Sequence, residues 1–331
     1  MKAVIDSAIP YVSGVLEPYA EVVYCEGSSF SPAEVADADV LIIRTRTRCD
    51  EHLLRGSKVR LIATATIGFD HIDLDYCAAN GIEVVTAAGC NAAGVLQWVS
   101  ATLALLSKQQ GWHPSERRLG IVGVGNVGSL VEHYARRWGF DVVLCDPPRK
   151  EREGGDFISL EELLPQCDIV TLHTPLDATT LHLIDAERIS LLKSGATLIN
   201  ASRGEVASTE ALLSTDATLC LDVWEGEPNI NLSLLDKALI TTPHIAGYSA
   251  QGKANAAVAV VRATARHFGL PLEQWYPSEV QPVERRDIGW DEMCQSIVSH
   301  CDLVRESADL KSLYSDFESL RNNYTYREEY F

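Results

Sequence analysis

Three short stretches of this chain carry side chains able to move a proton and grip an acid. They are Asn200-Ala-Ser-Arg203-Gly204, Asp222-Val-Trp-Glu-Gly-Glu227-Pro228 and Pro243-His244-Ile-Ala-Gly-Tyr248, and each follows an apolar run of strand length. Histidine titrates near neutrality when unperturbed, so His244 suits proton transfer, and a carboxylate beside it, for which Glu227 is the candidate, would orient the ring. Arg203 could clamp a substrate carboxylate through two parallel hydrogen bonds; the alternative is a solvated arginine on a capping turn. Taken singly, a histidine after a strand is more often structural than catalytic. Together, the three residue types match what oxidation of an alcohol next to a carboxylate demands: a base for the hydroxyl proton, a companion for that base and a clamp that aligns both.

Such chemistry needs a hydride acceptor, and the stretch from Leu119 to Asp146 has the order of a dinucleotide site. An apolar strand (Leu119, Ile121, Val122, Val124) is broken by Gly123, Gly125 and Gly128, and a helical pattern then runs to Trp138. One glycine makes the tight turn, one lets the backbone approach a pyrophosphate, and one lets helix and strand pack closely. The positive end of the helix faces the pyrophosphate. A second apolar run, Val142 to Cys145, ends in Asp146, placed to accept from ribose hydroxyls and to repel a 2′-phosphate, which favours NAD. Arg149 and Lys150 follow it and could soften that preference.

Composition bounds the function. The 331 residues are 46% apolar and 22% charged, enough for a globular protein of about two or three domains. Net charge is −18, from 28 basic against 46 acidic side chains, which argues against nucleic acid or an anionic membrane as a partner. The N-terminus shows no signal core and no apolar run approaches membrane-spanning length, so a cytoplasmic location is expected. Nine cysteines lie scattered without a C-x-x-C pair, which points to reduced thiols and to no metal site.

Before the dinucleotide unit, strand-like runs (AVID, EVVYC, DVLIIR, VRLIAT, EVVT) alternate with helical stretches up to about Cys90, the pattern of a parallel sheet covered by helices. A long apolar helix, roughly Ala92 to Lys108, links this lobe to the second, whose later strands are DIVTL, ATLIN, TLCLDV and LITT. A second long helix, within Tyr248 to Phe268, could return the chain to the first lobe. The last sixty residues change character: a proline-punctuated run precedes helical patterning from Trp290 to Leu320, and the end is polar and aromatic. That tail is too small for its own core and is expected to pack on its own chain or on a partner subunit.

Gly123-x-Gly125-x-x-Gly128 with Asp146, His173-Thr-Pro175, Asn200-x-x-Arg203-Gly204, Asp222 with Glu227-Pro228, and Pro243-His244-x-Ala246-Gly247 together resemble the D-2-hydroxyacid dehydrogenase superfamily over essentially the full length. TATIGFDH at 64–71, GCNAAGV at 89–95, LCDPPR at 144–149 and HIAGYS at 244–249 resemble, within it, a branch that acts on a phosphorylated 2-hydroxy acid and carries an added C-terminal dimerisation domain. The resemblance implies an α/β fold: a flavodoxin-like substrate-binding domain (1–92 and 255–271), a Rossmann-type NAD-binding domain (93–254) and a dimerisation domain (272–331) forming a homodimer. It implies Arg203, Glu227 and His244 as catalytic. Around NAD it implies Gly123, Gly125, Asn126, Val127, Gly128, Asp146, Thr174, Ala201, Ser202, Arg203, Asp222 and Gly247. Thr45, Thr66 and Tyr248 are implied around the substrate, Thr45 standing where a serine is expected. Arg44 is expected from the family; Arg46 and Arg48 are either a phosphate clamp or a solvated strand edge, the latter favoured for Arg48. The alternatives are a dehydrogenase of the phosphoglycerate or glycerate type and an NAD(H)-sensing, co-repressor-like protein.

Overall fold

Runs of branched aliphatic residues with little polar alternation build two separate parallel sheets, since strands buried on both faces need apolar side chains in both directions. The computed structural model describes residues 1–331. The chain divides into two compact units: Met1–Asn91 with Ala250–Pro282, and Ala92–Ser249 with Val283–Phe331.

In the first unit β1 (Lys2–Asp6), β2 (Glu21–Cys25), β3 (Val40–Ile43), β4 (Leu61–Thr64) and β5 (Glu83–Thr86) pair in the order β2-β1-β3-β4-β5, all parallel. This is the doubly wound flavodoxin-like order.

The second unit opens with the helix α1 (Ala92–Gln110), buried on nearly every side. It continues through β6 (Arg118–Val122), α2 (Asn126–Trp138), β7 (Asp141–Cys145), α3 (Pro147–Glu153), β8 (Ile169–Leu172), β9 (Thr197–Asn200), β10 (Thr218–Leu221) and the two-residue β11 (Ile240–Thr241). Its parallel order, β11-β10-β9-β8-β6-β7, sends the chain first to one side of β6 and then to the other. The switch point lies between β6 and β8, where open sheets of this kind bind ligands beyond their strand ends. Helix α2 stops because Gly139 takes the left-handed conformation (φ 100°) that other residues resist.

The chain returns to the first unit with α4 (Ala250–Phe268), whose small face covers β4 and β5 and buries Ala257, Val260 and Val261 against Ile5, Val40 and Leu61. Beyond it, the helical pattern read from Trp290 to Leu320 resolves into three helices: α5 (Trp290–His300), α6 (Leu303–Ser312) and α7 (Phe317–Asn322). Asp302 forces the first break by capping α6, its carboxylate accepting from the Arg305 N–H. These helices belong to the core of the second unit: Trp290 stacks on Trp112 with ring centroids 6.2 Å apart, Phe331 meets Tyr134 edge-on at 5.2 Å, and Leu310 and Phe317 are buried under β10 and its neighbours. No helix is long and apolar enough to cross a membrane.

Candidate active site

The glycine turn after β6 is shaped by contacts that exclude side chains. Gly123 sits at φ 85°, and a Cβ there would come within 2.8 Å of the His173 carbonyl carbon; at Gly128 a Cβ would lie 2.0 Å from the Gly123 oxygen. At Gly125, which caps α2, a Cβ would meet nothing within 4 Å, so this is the open side of the turn. The first N–H groups of α2, including those of Asn126, Val127 and Gly128, have no acceptor within the helix and present a positive end there. Asp146, at the end of β7, braces the turn: Oδ2 accepts from the Val124 N–H at 2.8 Å and Oδ1 from the Arg149 N–H at 2.9 Å. Arg149 is tied down by Glu153 (2.7 Å) and the Val124 carbonyl (2.9 Å). After β8, the Thr174 hydroxyl oxygen is buried with no partner in the chain. Open glycine backbone, a helix N-terminus, an acidic strand end and an orphaned hydroxyl around one switch point fit a dinucleotide.

After β9, Asn200 knots the next turn, accepting from the Ser202 N–H (3.1 Å) and hydroxyl (2.8 Å) and donating to the Arg203 carbonyl (2.9 Å). Ala201 and Ser202 therefore lie in a closed loop. Arg203 donates to the Ser202 carbonyl at 2.7 Å and forms no ion pair, which leaves its charge available to an anion. Gly204 lies so close to the Trp224 backbone that a Cβ would be 2.0 Å from the Trp224 carbonyl carbon. The arginine loop and the loop after β10 are thereby held together.

The loop after β11 places the histidine. His244 has φ 59°, a left-handed conformation rarely adopted by non-glycine residues and found preferentially at functional sites. Asp222 holds it there. Its backbone carbonyl accepts from the His244 N–H (2.7 Å), and its buried carboxylate accepts from the Thr242 hydroxyl (2.6 Å) and the Ile245 (2.8 Å) and Ala246 (2.9 Å) N–H groups. Burial raises the Asp222 pKa above the ordinary carboxylate value despite these bonds and the His244 charge. Glu227 accepts from His244 Nδ1 at 2.8 Å through Oε2 and from the Trp224 N–H at 2.9 Å through Oε1. Burial works to raise the Glu227 pKa, but His244, the Trp224 N–H and the charge of Arg321 outweigh it and hold the carboxyl below its usual range. With Nδ1 engaged, Nε2 is the ring atom free to exchange a proton. Gly247 packs against Gly94, and the Tyr248 hydroxyl accepts from Arg321 Nε at 3.2 Å.

On the first unit, Thr45 is exposed just beyond β3, and the Thr66 hydroxyl beyond β4 contacts the Thr64 hydroxyl (2.6 Å) and the Gly68 carbonyl (3.1 Å). Arg44 pairs with the fully buried Asp6 at 3.0 Å. Arg46 points to the surface, and Arg48 is an exposed arginine paired with Asp50 at 3.0 Å.

Sequence reasoning missed Arg321. Its polar surroundings in the tail gave no signal, and its partners lie far away in the chain.

Among known families, that of the D-isomer specific 2-hydroxyacid dehydrogenase NAD-binding domain matches residues 92–246. An erythronate-4-phosphate dehydrogenase of Bacteroides fragilis (strain YCH46) is 46% identical over 99% of this chain and 97% of its own length. Two solved structures cover less: a D-lactate dehydrogenase from Aquifex aeolicus complexed with NAD and lactic acid (27% identity, TM-score 0.67, 82% of this chain and 97% of that one), and an NAD+-bound 3-phosphoglycerate dehydrogenase from Entamoeba histolytica (26%, TM-score 0.69, 81% and 95%).

Proposed function

The chain belongs to the erythronate-4-phosphate dehydrogenase family, within the D-isomer specific 2-hydroxyacid dehydrogenases, and on that premise we propose that Arg203, Glu227 and His244 carry its chemistry. The reaction is NAD-dependent oxidation of 4-phospho-D-erythronate to (R)-3-hydroxy-2-oxo-4-phosphooxybutanoate, a step of pyridoxal 5′-phosphate (vitamin B6) biosynthesis. NAD, when bound, supplies the hydride acceptor at C4 of its nicotinamide. Gly123, Gly125, Asn126, Val127, Gly128, Asp146, Thr174, Ala201, Ser202, Arg203, Asp222 and Gly247 would hold it.

His244 Nε2 takes the proton of the C2 hydroxyl as the C2–H bond breaks. Glu227 fixes the ring through Nδ1 and stabilises the imidazolium that results. Arg203 grips the C1 carboxylate through its planar fork, which sets C2 in register with the base. Thr45, Thr66 and Tyr248 are proposed substrate contacts.

The single observation that carries this reading is the 2.8 Å contact between Glu227 and His244 on a loop that Asp222 braces from beneath. A panel of 2-hydroxy acids with NAD tests it: 4-phospho-D-erythronate should turn over far faster than erythronate, 3-phosphoglycerate, glycerate or D-lactate. Equal rates with and without the distal phosphate would defeat the substrate assignment.

We also propose a cytoplasmic homodimer that associates through residues 272–331. Val298 and Val304 are 61% and 62% exposed, and Leu313 and Tyr314 are exposed nearby, an unusual amount of bare apolar side chain on one segment. Val298→Glu with Val304→Glu should yield a monomer in sedimentation, and an unchanged dimer would show that the interface lies elsewhere.

A further inference from the structure

The C-terminal segment reaches the catalytic pair. Helix α7 is pinned by Phe317, buried with Leu310 and Trp224, and this fixes the direction of Arg321 on its partly exposed face. Arg321 Nε donates to the Tyr248 hydroxyl at 3.2 Å, and Nη1 lies 3.9 Å from Glu227 Oε2, the oxygen that accepts from His244. The guanidinium carbon is 6.0 Å from the centre of the Tyr248 ring, whose edges also meet Tyr324 and Tyr326. A little further along, the chain runs beside the same loop: Arg327 pairs in register with Ser249 and donates to the Gly94 and Ala246 carbonyls. The loop from His244 to Ser249 is thus held from below by Asp222 and along its length by the last residues of the chain.

We infer that Arg321 is a positioning residue for the reaction, acting through Glu227 and Tyr248 rather than on the substrate; this rests on the catalytic roles proposed above for His244 and Glu227. At 3.9 Å, Nη1 is too far for a hydrogen bond to Glu227 but close enough for its charge to favour the ionised carboxylate. Glu227 has one oxygen held by a backbone N–H and the other shared with His244, so its orientation decides where the imidazole points. A cation 3.9 Å from Oε2 opposes conformers that carry that oxygen away from its present position beside the ring. The same side chain restrains the Tyr248 phenol, and its planar guanidinium spans both partners in a way that a single ammonium cannot.

The test compares Arg321→Met and Arg321→Lys in the full-length protein, each with and without Glu227→Gln. Arg321→Met should lower kcat about tenfold at unchanged NADH affinity, with part of the loss recovered in Arg321→Lys, whereas in the Glu227→Gln background the same change should cost less than about twofold. The proton NMR resonance of the His244 Nδ1–H, identified by its disappearance in His244→Gln, should shift in Arg321→Met and move back toward its original position in Arg321→Lys. Equal losses in both backgrounds, or an unmoved resonance, overturn the assignment. Should Arg321→Met melt early, Arg321→Lys decides alone: a smaller loss of kcat that vanishes in the Glu227→Gln background supports it, and no coupling to Glu227 overturns it. The resonance needs no turnover. A chain that leaves 4-phospho-D-erythronate untouched yet shows the shift would sink the substrate assignment and spare Arg321.

Discussion

Glu227 Oε2 lies 2.8 Å from His244 Nδ1, and the other Glu227 oxygen is taken by the Trp224 N–H, so the carboxylate has a single orientation and the ring a single exposed nitrogen. A base built this way loses its function when the ring goes and only part of it when the charge beside the ring goes. His244→Ala should lower kcat by about 10² to 10⁴ while NADH still binds, and Glu227→Gln by about 10 to 10². Steady-state kinetics with NADH fluorescence titration on folded protein measure both. A His244→Ala enzyme with near-normal turnover would remove the histidine from the mechanism.

Arg203 is the cation of this loop cluster that no carboxylate of the chain neutralises, and its turn is closed by Asn200. Replacing it with lysine preserves the charge and discards the fork. Arg203→Lys should reduce kcat/KM for the hydroxy acid about 10- to 100-fold, the equivalent of one charge-assisted hydrogen bond, with NAD affinity much less affected. Identical kinetics in the variant would show that Arg203 does not touch the acid.

The parts of this molecule that were legible in its sequence are those whose chemistry is local. A strand buried on both faces must be an apolar run, and Gly123 must be glycine because its φ is 85°; both leave marks in a few consecutive residues. Arg203, Glu227 and His244 stand out as candidates because each lies on the loop that follows a strand. Arg321 does not, because it contacts Tyr248 from 73 positions later in the chain, and nothing in its neighbourhood distinguishes it from a solvated arginine. In the tail the helical patterning from Trp290 to Leu320 was legible but its breaks were not, because the periodicity runs on across Asp302 and only the cap formed by that side chain shows where one helix stops and the next begins.

Asp146 accepts from two backbone N–H groups and keeps lone pairs for ribose hydroxyls, while Arg149, the residue best placed to welcome a 2′-phosphate, is held by Glu153 and the Val124 carbonyl. The expected preference is therefore NAD over NADP. Asp146→Ala should raise KM for NAD about 10- to 100-fold and narrow that preference, because hydrogen bonds to a charged group and a repulsion of the extra phosphate disappear together. Initial rates with both nucleotides decide it; a preserved discrimination would place the selectivity in another residue.

His173 bears on stability through pH. Burial pushes its pKa down from 6.5 to about 3, and its Nε2 rests 3.0 Å from the Thr171 hydroxyl. The ring stays neutral in the folded chain while its unfolded counterpart takes up a proton. Because the folded value is depressed, the contribution is complete above about pH 6.5 and is lost as pH falls toward about 3. A fully shielded ring would lose about 1 kcal/mol between pH 6.5 and 5.5, and the partial exposure of this side chain reduces the expected loss to about 0.5 kcal/mol. Urea unfolding of His173→Asn should therefore show a shallower fall in stability over that interval than the unmodified chain. Parallel curves would mean that His173 takes up its proton as readily in the folded chain as in the unfolded one.

Gly204 joins two parts of the site by the absence of a side chain. A Cβ there would lie 2.0 Å from the Trp224 carbonyl carbon, 2.1 Å from its oxygen and 2.4 Å from the Glu225 nitrogen, all backbone atoms that cannot swing aside. Gly204→Ala must therefore move one loop away from the other, and both bear on the proposed chemistry: one holds Arg203, and the other donates the Trp224 N–H that orients Glu227. The cost in stability should be about 1 to 3 kcal/mol or more, the usual range for overpacking, and kcat/KM should fall further than NADH affinity, since the glycine turn after β6 is untouched. Gly289→Ala provides the control, because a Cβ at that position meets nothing within 4 Å. If thermal melts and kinetics of the two variants coincide, the contact between the Arg203 loop and Trp224 does not govern the site.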